Sequence, residues 1–354
     1  MKILITGGAG FVGSHLAILF KNQYPRASVV VFDNLRRRGS ETNLASLAEN
    51  DIQFVHGDIR VASDLDDLGT GFDVFVEASA EPSVLAGIGS SPQYVLQTNL
   101  AGTLNCLEYS RRHCGSFIFL SSSKVYSIAA VRSIELVERE TRFDISEASS
   151  IRGLSRRGIN ESFPTDSARS FYGATKLASE LILQEYVHAH GMKACINRCG
   201  IICGPGQFGR VDQGVFSLWV AHYVLGKSLQ YSGFGGTGKQ VRDLLHPADL
   251  FDLIWKQVES PKLQQGDVYN VGGGQERSTS LLEFNRLCEQ ISGNRVVVER
   301  RPDTGIVDVP FYVSDTTKVR STYQWEPTRS VRDIAIELFR WIRKNEGTLR
   351  SVIG

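Results

Sequence analysis

The stretch Lys2 to Ser14, KILITGGAGFVGS, restricts the possible folds more than any other part of the chain. Ile3, Leu4 and Ile5 form a short apolar run of buried-strand type. A glycine-rich turn follows, and then an apolar helical run from Phe11 to Phe20. Gly7 and Gly10 admit backbone angles closed to other residues and let the main chain lie against a pyrophosphate, while Gly13 lets the helix sit close to the strand. Free amides and the dipole at the helix start favour phosphate at that point. A glycine turn between strand and helix is common, so the context carries the weight: twenty residues beyond Gly13, Asp33 ends the next apolar strand, Val29 to Phe32. A carboxylate there accepts hydrogen bonds from an adenosine ribose and repels a 2'-phosphate, which favours NAD over NADP. Arg36, Arg37 and Arg38 leave the phosphorylated cofactor as the lesser alternative.

The rhythm set by this unit continues along the chain. Ile52 to Val55 reads as a third strand running into His56-Gly57-Asp58. Val74 to Glu77 reads as a fourth, leading into the small residues Ala78-Ser79-Ala80. Asp58, just past a strand end, suits either an adenine amino group or a helix cap. A helical pattern from Gln93 to His113 carries Asn99, and Ser116 to Leu120 is the fifth strand. Strands and helices alternating at this spacing indicate an α/β fold with a parallel, doubly wound sheet of Rossmann type. Residues 127–168 are charged and aperiodic, and read as a flap over the site, with a plain surface insertion the near alternative. A helix from about Ser170 to His190 and a sixth strand from Lys193 to Ile202 follow. The stretch 204–239 is rich in glycine and polar groups. A helix from Pro247 to Glu259 and a strand Val268 to Val271 return to the sheet. Helices at Leu281 to Ser292 and Val331 to Lys344, with a strand Arg295 to Arg300, suggest a smaller C-terminal substrate-binding domain. The expected division is 1–202 with 247–273 for the dinucleotide domain, and 203–246 with 274–354 for the second.

With 354 residues the chain can bury one large or two ordinary cores, and its formal charge of +1 gives no electrostatic case for nucleic acid or an anionic membrane. No apolar run is long enough to cross a bilayer, and the first strand begins at once with no leader ahead of it, so a cytoplasmic location is expected. The six cysteines form no C-x-x-C pair. Cys195, Cys199 and Cys203 lie in a strand-like run and its exit, which reads as buried thiols, and no metal site is expected.

The chemistry is concentrated in SFYGATK, where Tyr172 and Lys176 lie four apart on one face of a helix start. An ammonium beside a phenol lowers the phenol pKa from about 10, making it a usable proton-transfer group. Ser121, Ser122 and Ser123 stand immediately after the fifth strand, at the sheet edge where a nicotinamide would lie. A hydroxyl there can hold a substrate alcohol while Tyr172 removes its proton, although serines also cap loops.

TGGAGFVGS, Asp33-Asn34-Leu35, His56-Gly57-Asp58, SSSKVY and Tyr172-Gly-Ala-Thr-Lys176 together resemble the extended short-chain dehydrogenase/reductase family, whose members act on nucleotide sugars. The resemblance covers almost the whole chain. It implies NAD along Gly7, Gly10, Phe11, Val12 and Gly13, with Asp33 and Asn34 at the adenosine ribose and Asp58 and Ile59 near adenine. It places Ala78, Ala80 and Asn99 along the cofactor, and Tyr172 and Lys176 at the nicotinamide ribose. Ser122 corresponds to the catalytic hydroxyl residue. The runs GKQVRDLLHPADL, Asp212-Gln213-Gly214 with Gln207 ahead of them, and Lys124 before Val125-Tyr126 are similar to epimerases that invert C2 of a CDP-linked deoxysugar. In that comparison Ser123, Lys124, Gln207, Asp212, Gln213 and Arg242 face the substrate. Arg242 binds the diphosphate, and the rival reading makes it an ion pair with Asp243. The second arginine of the pattern is replaced by Pro310, leaving Arg300 or Arg301 as substitutes. Dehydratases of the family carry Asp-Glu after the catalytic residue; Ser123-Lys124 here leave elimination of water without its acid. A UDP-sugar 4-epimerase, or an NAD-binding sensor without catalysis, are the alternatives. A homodimer through the 93–113 and 170–190 helices is expected by family analogy alone.

Overall fold

The structure is a computed structural model that describes residues 1–209, 213–261 and 264–353. Its main sheet has seven strands: β1 (Lys2–Thr6), β2 (Ser28–Asp33), β3 (Gln53–His56), β4 (Val74–Glu77), β5 (Phe117–Ser122), β6 (Ala194–Cys199) and β7 (Gln265–Val271). Every pairing is parallel, in the order β7-β6-β5-β4-β1-β2-β3. The order reverses beside β1, so a crevice opens at the carboxyl ends of β1 and β4.

Helices cover both faces, as the near-continuous apolar strands require. On one side α1 (Phe11–Gln23) and the later helix Pro247–Glu259 pack Leu16, Phe20, Leu250 and Ile254 against Ile3, Ile5, Val29 and Val31. On the other, α2 (Gly102–His113) and α3 (Phe171–His190) bring Cys106, Leu107 and Leu183 against Leu4, Phe75 and Phe119. Val319, Tyr323 and Trp325, far along the span 274–354, also pack into the first of these cores.

A second core lies around α4 (Val215–Leu225), α5 (the helix Pro247–Glu259 named above) being its neighbour in sequence, with α6 (Leu281–Ser292) and α7 (Val331–Lys344) completing it. Phe216, Trp219, Phe284, Leu338 and Phe339 form its centre. A small sheet joins Ile201–Ile202, Val241–Leu245, Ser278–Ser280 and Phe311–Tyr312.

Several sequence expectations are corrected. The run from Lys193 to Ile202 is not one strand. It breaks after Cys199, and Ile201–Ile202 pairs instead with Leu244 and Leu245 of the small sheet. The stretch 204–239 contains α4, which is apolar on all sides because it is buried on all sides, so it lacks the helical period. The 93–113 helix is interrupted by a π-helical turn at Gln97–Ala101. Residues 127–168 are ordered: a short helix Ile128–Arg132 and two hairpins close a cluster of Val131, Ile134, Ile159 and Phe163 over Tyr126 and Tyr312. Among the described residues no helix is long and apolar enough to cross a membrane.

Candidate active site

The glycine turn is built by contact. Gly7 has φ +64°, and a Cβ on it would stand 2.8 Å from the Ala78 carbonyl oxygen. A Cβ on Gly13 would meet the Gly7 oxygen at 2.2 Å. Only hydrogen fits at either place, so the backbone turn presses against the exit of β4 and α1 presses against the turn. Gly8, not singled out from the sequence, is as constrained, with the Val31 side chain 2.4 Å from its would-be Cβ. Gly10, the N-cap of α1, is open toward the crevice, with only the Gly7 oxygen close to it at 3.1 Å.

Asp33 closes this turn from β2. Its carboxylate accepts from the Ala9 amide at 3.2 Å and the Leu35 amide at 2.8 Å. Burial raises its pKa and these backbone donors oppose the rise. Asn34 donates to Asp58 at 2.9 Å, and Arg60 clasps the same carboxylate at 2.6 Å. Burial alone would raise the Asp58 carboxyl, but the bonds from Arg60 and Asn34 outweigh it and hold it at about 2. Ile59 is buried and fills the space that a side chain on Gly102 would need. Arg36 stacks 4.1 Å from the Tyr94 ring centroid, and Arg60 lies 5.1 Å from it. A glycine cradle without room for a Cβ, a helix start and a carboxylate at the end of β2 fit a dinucleotide of the NAD type. Both ends of the Asn99 amide are bonded to the Glu81 backbone, at 2.7 and 3.0 Å, so it holds the segment after β4 in place.

The proton-transfer residues meet at the carboxyl end of β5. Ser122 ends that strand, caps the turn Ser123–Val125 by accepting from the Lys124 amide at 3.2 Å, and stands close enough to the Tyr172 phenol to lower its pKa. Tyr172 opens α3, whose N-cap Ser170 accepts from the Gly173 amide at 3.1 Å. A Cβ at position 173 would lie 2.0 Å from the Lys124 oxygen, so Gly173 is what lets α3 begin against the serine turn. Ser121 points the other way, to Glu180. Lys176 is buried one turn on, its ammonium 4.6 Å above the Phe119 ring centroid.

One sequence expectation fails here. The Tyr172 phenol is pushed up, to about 12, mainly by burial; the Ser122 hydroxyl lowers it, and Cys199 and Glu77 raise it. A smaller contribution stands beside Lys176: Glu77, the last residue of β4, lies fully buried with its carboxylate 3.8 Å from the Lys176 ammonium. The charge expected to acidify the phenol is answered by a carboxylate. Glu77 was not singled out from the sequence, although an ionisable residue ending the apolar run Val-Phe-Val was a usable signal.

These groups open on a cavity of about 760 Å³ between the two cores. Phe11, Val12, Ala78, Ala80, Ser122, Tyr172 and Lys176 line its near side. Ser123, Lys124, Gln207, Gln213 and Arg242 line it beyond them, together with Trp219, Gln230, Glu299 and Asp308, which the sequence reading did not include. Arg242 donates to its own Val241 oxygen and to the Val309 oxygen, both at 2.7 Å. It makes no ion pair with Asp243, which is turned away to accept from the Gly274 and Ser314 amides at 3.1 and 3.2 Å. Gln207 is tied at both ends, to Ile202 and Ser217. Burial and the neighbouring Arg242 push Lys124 down to about 8. Arg301 is exposed and outside the cavity lining, while Glu299 of the same strand is in it. Asp212 lies outside the described residues.

A model of the NAD dependent epimerase/dehydratase family matches residues 3–272. The chain belongs to that family. It is 30% identical over 353 residues to the CDP-paratose 2-epimerase of Salmonella typhi, covering 96% of this chain and 99% of the relative. Among solved structures it is similar to UDP-glucuronic acid 4-epimerase from Bacillus cereus, crystallised with UDP-glucuronic acid and NAD, at 26% identity, TM-score 0.77, and coverage of 97% and 99%. The dTDP-glucose 4,6-dehydratase of Streptomyces venezuelae, crystallised with NAD, matches at 27% identity and TM-score 0.77, covering 99% and 100%. The fold is thus that of NAD-dependent nucleotide-sugar enzymes, and NAD is the family's cofactor.

Proposed function

We propose that the chain is a nucleotide-sugar epimerase that inverts a sugar carbinol, C2 of a CDP-linked deoxysugar, by transient oxidation and re-reduction. The observation that carries this reading is that the Ser122 and Tyr172 hydroxyls open on one cavity with the start of α1 after the glycine turn and with Arg242. In this reading the span 1–202 with 247–273 holds the cofactor along Gly7, Gly10, Phe11, Val12 and Gly13, with Asp33, Asn34, Asp58 and Ile59 toward the adenosine. The span 203–246 with 274–354 holds the nucleotide sugar.

When bound, NAD supplies the reversible hydride acceptor that such chemistry needs. The chain's own residues do the rest. Tyr172 takes the proton of the sugar hydroxyl and later returns it, Ser122 donates to the same oxygen, and Lys176 stands behind the phenol. Arg242 and Lys124 offer cationic groups to a diphosphate, and the cavity leaves the oxidised sugar room to turn and present its other face. Ser123 and Lys124 stand where dehydratases place their acid pair, which favours epimerisation over loss of water. The similarity to CDP-paratose 2-epimerase supports the carbon and the base. The similarity to a UDP-sugar 4-epimerase supports the second reading. A homodimer and a cytoplasmic location complete the proposal.

Tyr172→Phe is expected to lower kcat by about two to four orders of magnitude while NAD content is kept. Undiminished turnover defeats the assignment. Nucleotide sugars deuterated at C2 or at C4 separate the two epimerase readings, because only the oxidised carbon shows a primary isotope effect on turnover.

A further inference from the structure

Glu77 has no part in the chemistry above, yet it occupies a conspicuous place. It ends β4, directly beneath the turn where Gly7 presses on Ala78, and its side chain is fully buried. Oε1 accepts from the Ser79 hydroxyl at 2.7 Å, and that hydroxyl lies 3.2 Å from the Thr6 hydroxyl. Oε2 has no hydrogen-bond partner and faces the Lys176 ammonium at 3.8 Å. On its other side Lys176 has the Phe119 ring. A carboxylate in an apolar strand end is costly to bury, and a carboxylate oxygen without a donor is costlier still. A neutral residue at this position would fill the space without that cost, so the charge itself requires an explanation.

We infer that Glu77 is a positioning residue of the catalytic centre, the buried counter-ion that holds Lys176 in place and sets the pH at which Tyr172 exchanges its proton. The inference rests on the reading of Tyr172 and Lys176 as the proton-transfer pair. The other ionisable groups facing this cluster are the Cys106 thiol of α2 and the Cys199 thiol at the end of β6, both held protonated by burial. Glu77 is the remaining acidic group: burial raises its carboxyl, while the Lys176 ammonium and the Ser79 hydroxyl oppose that rise and favour its charged form, which in turn raises the Tyr172 phenol. A negative charge in a medium of low dielectric disfavours a second one beside it, so it opposes formation of the Tyr172 phenolate. Its consequence is a centre that works at higher pH than a bare tyrosine and lysine pair would.

The test is Glu77→Gln, which keeps the shape and the capacity to bond Ser79 while removing the charge. The readout is the NMR signal of Tyr172 labelled at its ring Cζ, assigned with Tyr172→Phe and followed against pH in NAD-saturated protein. The midpoint is expected to move down by about one pH unit or more, in line with a charge at this range. The kcat profile should move the same way, since Tyr172 is its proton-transfer group. Glu77→Asp, whose carboxylate is drawn back from Lys176, should give a smaller downward shift, and it serves alone if the glutamine variant does not fold. A midpoint that stays where it is in the folded variant overturns the inference, even if kcat falls, because a role confined to packing lowers the rate without moving the titration. Should the midpoint shift while neither protein turns over any nucleotide sugar, the proposed function fails and the role of Glu77 stands.

Discussion

Two cations share the cavity wall at the far side of the proton-transfer pair. Burial lowers both Lys124 and Arg242, Arg242 lowers Lys124 further, and Asp308 is the carboxylate that partly relieves both. Lys124 comes down to about 8 and Arg242 to about 10. Because the shift of Lys124 is downward, its charge is complete below that value and is lost as pH rises through it. An anion bound beside it pulls the proton back. Binding of CDP or UDP therefore takes up a proton above about pH 8, and affinity is expected to fall by up to about tenfold per pH unit there. Lys124→Met should bind more weakly and lose this dependence. Calorimetry in two buffers of different ionisation enthalpy measures the proton uptake directly, and equal heats in both would mean that Lys124 does not face the phosphates. The residues that carry this chemistry differ in how openly the sequence displays them. Tyr172 and Lys176 are legible from a helical spacing, and Ser122 from its place after a strand. Glu77 is legible only as an ionisable residue ending an apolar run, because a strand pattern says nothing of which neighbour a terminal carboxylate will meet. The raised Tyr172 is hidden for a related reason: four residues along a helix do not reveal how deeply the phenol will be buried, which is the main cause of its rise.

At the scale of elements, the hairpin Leu136–Glu138 with Phe143–Ile145 is tied to the start of α6 rather than lying loose over the surface. Ser280 is the N-cap of α6 in a full capping box with Glu283, at 3.0 and 2.9 Å. The same two side chains also hold the hairpin, since Ser280 donates to the Thr141 oxygen at 2.7 Å and Glu283 accepts from the Thr141 hydroxyl at 2.7 Å. Ser280→Ala removes a cap and a latch together. It is expected to cost about 1 kcal/mol or somewhat more in denaturant unfolding, with faster amide exchange across residues 136–145. A loss of stability with no change in exchange there would separate the cap from the latch. The sequence shows why α6 begins where it does, because Ser-x-x-Glu ahead of an apolar run is a local pattern. It hides the latch, which joins residues 139 positions apart. The helix Val215–Leu225 was hidden for the opposite reason. Every side of it is wanted by the second core, so no polar face remains to mark its turns.

At the scale of the molecule, the cavity is closed by segments from both halves of the chain. Arg132, at the end of the short helix in 127–168, donates to the Gly305 oxygen at 2.7 Å, the Ile306 oxygen at 3.2 Å and the Asp308 oxygen at 2.9 Å. Gly305, Val307 and Asp308 in turn line the cavity on the side away from the glycine turn. One guanidinium thus clasps the segment 305–308 against a segment inserted between β5 and α3, and the wall opposite the cofactor crevice depends on that clasp. The proton-transfer residues are anchored separately, by β5 and the first turn of α3, and touch none of these bonds. Arg132→Ala is therefore expected to raise KM for the nucleotide sugar by about tenfold, near the 1.4 kcal/mol that one exposed charge-assisted contact supplies, while kcat stays within about twofold. Steady-state kinetics read this split directly. A fall in kcat with KM unchanged would place the 127–168 segment in the chemistry itself, because a wall that only holds the substrate acts on its capture and leaves the proton transfer at Tyr172 as it was.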